Sequence, residues 1–524
     1  MENKLISDNI YRANWKKLLC EERRRESSYE KDRLDSRNAF DNDYNRIIFS
    51  SAFRRLQDKA QVFPLEDSDF VRTRLTHSIE VATVAESIGA SLEEFLIKGN
   101  KDGFTDENRG ELRKVLACAG LLHDIGNTPF GHFGEFSVQQ YFEERDKEGV
   151  LNGLSDEEKQ DYICFDGNAQ ALRIITQLQS MGSKGGMNLS YATLSAIIKY
   201  PRSSSEGNYA DYKDKKEDFK KNRISYKKYG YLQSEKEVFD KIVKNTGLVK
   251  DNNIIRNPIV YILEAADDIA YSVSDVEDGL KKGLLSLEYL KEEILGVFYN
   301  KYSITKDMLL MKSLKELEGN DDNDDTYNKI REKGTVAELS LYNKLNAREK
   351  NVLGAFYSEI SFGDEDEKFI RAQRLRVAIQ GFMITAVVKE FEKKYDLIMT
   401  GEYEKDLLLK SEAAELRKVL KKITNEKIFK NKEILKNELA GEKIISRLLE
   451  LFIEAVLNIN EDGSFKNKKS ERLYDIISDN YKKIYENDTK HTLYNKIQLV
   501  VDFISGMTDS YALELYKQLQ GVIF

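Results

Sequence analysis

Of the four histidines in this 524-residue chain, three fall between positions 77 and 132. His77 follows Arg74-Leu75-Thr76 and opens the periodic stretch SIEVATVAESIGASLEEFL. His123 and Asp124 stand in LLHDIGNTPFGHFGE, which runs through Gly126, Asn127, Pro129 and Gly131 before it reaches His132. Imidazoles and carboxylates grouped in this way are the ligands of a divalent cation. A mixed nitrogen and oxygen set with positions open to water suits Mn²⁺, Fe²⁺, Co²⁺ or Mg²⁺ better than a structural zinc, which favours thiolates. A further carboxylate is needed. ILEAADDIAYSVSDVEDGL offers Asp267 and Asp268 inside an otherwise apolar helical pattern, where a charge is expensive unless it is paired or metal-bound. His132 reads either as another metal ligand or as a proton-transfer group oriented by Glu135, three residues on. His491 lies far off in a polar segment and reads as a surface residue.

Side chains of this kind are held best at a helix end followed by turn residues, which fixes the backbone and leaves the tips accessible. Three segments show the required helical period. Val81, Val84, Ile88, Leu92 and Phe95 step by three and four residues, as do Leu112, Val115, Ala119 and Leu122. Ile259, Ile262, Ala266, Ile269, Val273, Val276 and Leu280 repeat the pattern directly after Pro258, a residue well tolerated at a helix start. Only four prolines (Pro64, Pro129, Pro201, Pro258) interrupt the chain, and strand-like alternation is rare, so the expected fold class is all-α. No internal repeat is visible. The acidic segment GNDDNDDTYNKIREKG, residues 319–334, reads as a loop between an N-terminal portion holding most of the chemistry and a C-terminal helical portion.

Hydrophobic residues make up 41% and charged residues 33%, the balance of a water-soluble globular chain. The N-terminus lacks the apolar core of a signal peptide, and no apolar run of about 18 residues occurs, so no membrane span is expected. Cys20, Cys118 and Cys164 form neither a CxxC pair nor a disulfide framework, which fits a reducing cytoplasm. A net charge of -8 argues against a general nucleic-acid binder. Residues 212–228 nevertheless carry eight Lys/Arg against three Asp/Glu, which reads as a solvated loop or as a cradle for an anion.

The pattern H…HD…D with these flanks resembles the HD superfamily of metal-dependent phosphohydrolases, and within it the deoxyguanosine triphosphate triphosphohydrolase family. The resemblance rests on FRRLQDKAQVFPLEDSDFVRTRLTHSIEV, LLHDIGNTPFGHFGE, FDGNAQALRI, IIKYPR, KKYGYLQSE, EAADDIAYSVSDVEDGL and DFISGMTDSYALELY, which occur in the family's order. It is weakest over residues 281–425. It implies a helical N-terminal segment (1–50), an HD-type catalytic core (51–290) and a C-terminal helical region (291–524) that completes the substrate site.

By that resemblance the metal ligands are His77, His123, Asp124 and Asp267. Asp267 is preferred to Asp268 because Tyr271 and Asp275 follow it at i+4 and i+8, along one helical face. The catalytic pair is His132 with Glu135. Asn168, Lys199, Tyr200 and Lys228 are implied at the triphosphate, and Gln61, Val62, Tyr271 and Asp275 around the sugar. Phe429, Glu438 and Arg472 are implied at the base. The implied reaction is metal-assisted attack at the α-phosphorus of dGTP or another dNTP, giving deoxynucleoside and tripolyphosphate. The resemblance also implies a homo-oligomer, a hexamer in similar proteins, and a nucleotide or single-stranded DNA as effector. Another HD-type nucleotidase or phosphodiesterase, or a non-catalytic nucleotide sensor, are the competing expectations.

Overall fold

The computed structural model describes residues 11–26, 35–62, 72–179, 185–207, 223–251, 253–304, 325–333, 335–357, 364–487 and 491–522. Most of the basic stretch 212–228 therefore lies outside the described residues, as do 319–324 and 334 of the acidic segment, while its remainder forms the helix Asp325–Lys333 where a loop was expected. Helices dominate. The sheet among the described residues is one antiparallel pair, Val249–Lys250 with Asn253–Ile254, in which Val249 faces Ile254. The all-α expectation holds. No helix of the described residues is long and apolar enough to cross a membrane.

The chain divides into two compact units. The first comprises Met1–Glu264, Glu392–Asp406 and Glu433–Phe524, the second Ala265–Phe391 and Leu407–Lys432. In the first unit, the periodic segments fold as read. The helix Arg74–Lys98 begins three residues before His77, because Thr73 and Thr76 cap each other's backbone N–H groups there. The helix Glu111–Leu122 ends with His123 as its cap residue. Further along, Phe130, Phe142 and Tyr162 bury themselves with Leu448, Phe452, Val500 and Phe503, so the helices His132–Lys147, Lys432–Leu457 and Leu493–Ser505 share one apolar core.

The second unit has an apolar centre that includes Phe298 and Phe382, whose rings meet edge to face at 6.2 Å. Ion pairs fringe it, among them Lys291–Glu338 and Lys301–Glu349, each at 2.6 Å. The helix Pro258–Lys281 starts at the proline as expected, begins in the first unit and continues into the second.

One contact decides how closely the two histidine-bearing helices approach. A Cβ placed on Gly120 would lie 2.5 Å from the Ala82 Cα and 2.7 Å from its nitrogen. Only glycine allows this backbone-to-backbone approach, and neither backbone can yield as a side-chain tip would. Gly120→Ala should destabilise the protein by about 1–3 kcal/mol, the usual cost of overpacking, despite alanine's better helix propensity. A urea midpoint equal to that of the parent would contradict the close approach.

Candidate metal and active centre

The first turn of one helix and the last turn of the other set the centre. His77 is 1% exposed and His123 5%, and their rings meet edge to face with centroids 5.3 Å apart. The His123 Nδ1 lies 2.7 Å from the carbonyl oxygen of Gly120. That carbonyl can only accept, so Nδ1 carries the proton and Nε2 keeps its lone pair, the tautomer a metal ligand needs. The Nε2 faces Asp124 Oδ1 at 3.4 Å. Arg74, buried at the start of its helix, donates from Nη1 to the other carboxylate oxygen, Oδ2, at 2.7 Å. One ligand atom from each of His77, His123 and Asp124 falls within 4.8 Å of the others. Two imidazoles, one with its tautomer set, and an oriented carboxylate fit a divalent cation.

From Asp124 the chain runs through a short loop to His132. Phe130 adopts φ +60° and Gly131 φ +61°, the left-handed region that side chains rarely occupy. A Cβ on Gly131 would lie 2.7 Å from Arg74 Nη2, so glycine there leaves room for the arginine that holds Asp124. The strain at Phe130, about 1–3 kcal/mol for such a residue, is offset from the C-terminal part of the chain. Asp509 Oδ1 accepts from the Phe130 N–H at 2.9 Å, and the Phe130 ring packs on Gly441, where a Cβ would come within 2.6 Å of it. The second Asp509 oxygen accepts from the Ala60 N–H at 2.9 Å, and Lys59 Nζ donates to the carbonyls of Asn127 (2.5 Å) and Ser505 (2.9 Å). Lys59 and Asp509 thus tie the loop before His132 to the segment that carries Gln61. Sequence reading gave neither residue a role. The matches of FRRLQDKAQVFPLEDSDFVRTRLTHSIEV and DFISGMTDSYALELY were the signals, and neither says what Lys59 or Asp509 touches.

His132 is the first residue of its helix, with a side chain 83% exposed. Its Nδ1 lies 3.3 Å from Glu135 Oε2, the one-turn pairing expected from their spacing. Glu135 is buried, and its other oxygen accepts from the Gly167 N–H at 3.0 Å. Burial alone would raise the Glu135 pKa, but Lys228, His132 and the Gly167 N–H outweigh it and hold it down at about 2. In return, the hydrogen bond and charge of Glu135 raise the His132 pKa above its ordinary value.

Lys228 sits among acids. Its Nζ is 2.5 Å from Asp166 Oδ2, and Asp166 caps the helix Gly167–Arg173 by accepting from the Asn168 N–H at 2.8 Å. The Asn168 side chain donates to that same Oδ1 at 2.7 Å. Burial would lower the Lys228 pKa, yet Asp166 and Glu135 raise it and keep the ammonium charged. Lys199 and Tyr200 are buried on the neighbouring segment, to which the Lys228 segment is joined by the Gly230 N–H donating to Arg202 O at 3.0 Å. Burial pushes the Tyr200 phenol up, so it remains a donor. The metal-type cluster, the His132–Glu135 pair, Asn168 and Lys228 therefore form one connected set in the first unit.

The remaining expected residues lie as follows. Gln61 is half-buried, its Oε1 is buried without a hydrogen-bond partner among the described residues, and Val62 is buried beside it. Glu438 is half-buried three residues before Gly441, and burial raises its pKa. Arg472 is exposed and makes no hydrogen bond or ion pair among the described residues, so the structure does not join it to this set. Asp267, Tyr271 and Asp275 belong to the second unit. There, Asp268 is held by Arg417 at 2.6 Å, and the half-buried Tyr271 hydrogen-bonds Asp275. The ring of Tyr271 faces that of Phe429 at 6.3 Å. Burial and Asp275 both raise the Tyr271 pKa, which keeps its hydroxyl protonated.

Comparison with known proteins agrees with this chemistry. Residues 74–178 match the HD domain, and residues 407–518 match the phosphohydrolase-associated domain. The chain is 38% identical, over 97% of its length and 99% of the relative's, to a deoxyguanosinetriphosphate triphosphohydrolase-like protein of Listeria monocytogenes. It is 32% identical, over 97% and 99%, to a protein of the same description in Pseudomonas aeruginosa. To the deoxyguanosinetriphosphate triphosphohydrolase of Klebsiella pneumoniae it is 29% identical over 92% of this chain and 94% of that one. Similarity over nearly the whole length, together with the His77, His123 and Asp124 cluster inside the matched HD domain, shows that the chain is an HD-type nucleotide phosphohydrolase and belongs to the deoxyguanosinetriphosphate triphosphohydrolase-like family.

Proposed function

We propose that the protein hydrolyses deoxynucleoside triphosphates, dGTP among them, to the deoxynucleoside and tripolyphosphate. The observation that carries this reading is the short loop with a divalent-ion ligand set at one end and an exposed imidazole, backed by a buried carboxylate, at the other. The names of the relatives support the substrate class. His77, His123 and Asp124 would hold the ion, with Asp267 as the fourth ligand. The engagement of Asp268 by Arg417 supports that choice. When bound, a divalent ion supplies Lewis acidity at the α-phosphate and acidifies water.

The chain's own residues do the rest. Water attacks the α-phosphorus, the bond from that phosphorus to the 5′-oxygen breaks, and one water proton ends on the 5′-oxygen. His132 handles that proton at Nε2, because its Nδ1 faces Glu135. Lys228, Lys199, Tyr200 and Asn168 bind the triphosphate, whose charge competes with Asp166 and Glu135 for the Lys228 ammonium. Tyr271 packs against C2′ of the sugar, Asp275 and Gln61 bond its 3′-hydroxyl, and Val62 lies beside it. Glu438 faces guanine, whose N1–H and N2–H₂ both donate, with Phe429 and Arg472 at the same end.

Asp124→Asn should abolish turnover and lower bound metal while leaving the helical circular dichroism unchanged. Full activity in that variant would remove the central assignment.

His132→Ala should lose roughly 10²- to 10⁴-fold in rate, the range of a general acid or base, and keep its metal. In Glu135→Gln the imidazole loses the charge that raises its pKa, so the limb of the pH–rate profile set by His132 should move to lower pH. A rising limb that moves identifies a base, and a falling one an acid. A profile that does not move would show that Glu135 does not tune His132.

Tyr271 accounts for discrimination against ribonucleotides in this reading. A ring against C2′ leaves an added hydroxyl without a partner, which costs about 1–3 kcal/mol before any steric strain. The ratio of kcat/KM for dGTP to that for GTP should therefore be large in the parent and fall in Tyr271→Ala. Equal loss on both substrates would make Tyr271 an ordinary core aromatic.

A further inference from the structure

Beside the loop that follows Asp124, the first unit holds a cavity of about 320 Å³. Ile125, the residue after the metal-type carboxylate, forms part of its wall, as do Arg55 and Lys59. Among the described residues, no carboxylate lines it. The remaining polar lining consists of hydroxyls and amides, Tyr481, Gln179 and Asn480 among them. The π-helical turn Ile174–Leu178, one of two among the described residues, lines another side, an irregularity that often accompanies a ligand site.

The two cations are unusual in what they lack. Arg55 gives Nη1 to the Tyr481 hydroxyl (2.9 Å) and the Gly506 carbonyl (3.0 Å), and its other guanidinium contacts are to Ser51 at 3.4 Å. Lys59 is 3% exposed and donates to two backbone carbonyls. Neither forms an ion pair among the described residues. An ammonium has three protons and a guanidinium five, so each group keeps a donor after these contacts are counted. Buried positive charge without a counter-charge is costly, and burial accordingly pushes the Lys59 pKa down to about 7, against the pull of Asp509.

We propose that this cavity is a second anion site, distinct from the catalytic centre, which takes a phosphate group between Arg55 and Lys59. The group can arrive on a nucleotide or on inorganic polyphosphate, and the volume lies at the lower end of the range for small-molecule pockets. A phosphate oxygen supplies the missing counter-charge and accepts the donors left over. The site borders the catalytic loop directly. Lys59 holds the Asn127 carbonyl, and Ile125 forms part of the cavity wall. Occupancy would therefore be sensed three residues or fewer from Asp124.

Asn480 gives the test. It is exposed at the start of the helix Asp479–Glu486 and lines the cavity, so a change of charge there leaves folding and the catalytic residues untouched. Inorganic phosphate is titrated calorimetrically into the parent, Asn480→Asp and Asn480→Lys. The aspartate should weaken phosphate binding and the lysine strengthen it, each by about three- to tenfold, the scale of one charge at a pocket rim. Phosphate binding indifferent to residue 480 would overturn the proposal, because the catalytic centre would then account for all of it. Tripolyphosphate and dGTP are then used to displace phosphate from the 480-sensitive site. Displacement by tripolyphosphate alone assigns an inorganic source, and displacement by dGTP a nucleotide. Displacement by neither would also overturn it.

Discussion

Where Gly120 meets Ala82, the helices Arg74–Lys98 and Glu111–Leu122 touch backbone to backbone, and the metal-type cluster hangs on that contact. Gly120 does two things at once. Its missing side chain lets the helices close, and its carbonyl, one turn before the helix end, fixes the tautomer of His123. The His77 ring then finds His123 at 5.3 Å instead of facing solvent or core. A larger residue would affect both functions, since the carbonyl moves with the backbone. The ligand geometry is in this sense a packing property, as rigid as the interior that supports it.

The His132 side is organised differently. A strained left-handed Phe130 and Gly131 turn the chain sharply from Asp124 towards the His132 helix. Such a turn persists only where its surroundings over-determine it. Asp509 and Gly441, both from the last hundred residues, grip Phe130 from two directions, and Lys59 holds Asn127. The C-terminal region of the first unit thus acts on the centre through backbone hydrogen bonds, without contributing a reacting group there.

This division explains what sequence could show. His77, His123, Asp124, His132 and Glu135 were legible because local pattern governs them: a helix end, a turn and an i,i+3 spacing. The helices were legible for the same reason, down to the start at Pro258. The packing of Gly120 on Ala82 and the roles of Lys59 and Asp509 were not, because each of these contacts spans 38 to several hundred residues and carries no periodic signature. The pairing of Asp268 with Arg417, 149 residues away, was equally hidden from local pattern. The basic stretch ending at Lys228 drew attention through its count of cations. The described end of it shows that the one lysine meeting Glu135 is already paired with Asp166, a fact no charge count contains.

That pairing bears on how the proposed reaction is timed. Lys228 lowers the pKa of Glu135, and its charge also lowers that of His132. The ammonium is paired with buried Asp166 and lies in the field of buried Glu135, so it is pre-oriented. A triphosphate that draws Lys228 towards its own oxygens removes that positive charge from the His132–Glu135 pair. The Glu135 carboxylate then acts on the imidazole with less compensation, and His132 becomes more basic than in the empty site. In the proposed reaction, binding the anion and readying His132 would then be one electrostatic event, transmitted through Lys228. An uncharged ligand of similar shape would leave Lys228 on Asp166 and the imidazole untuned.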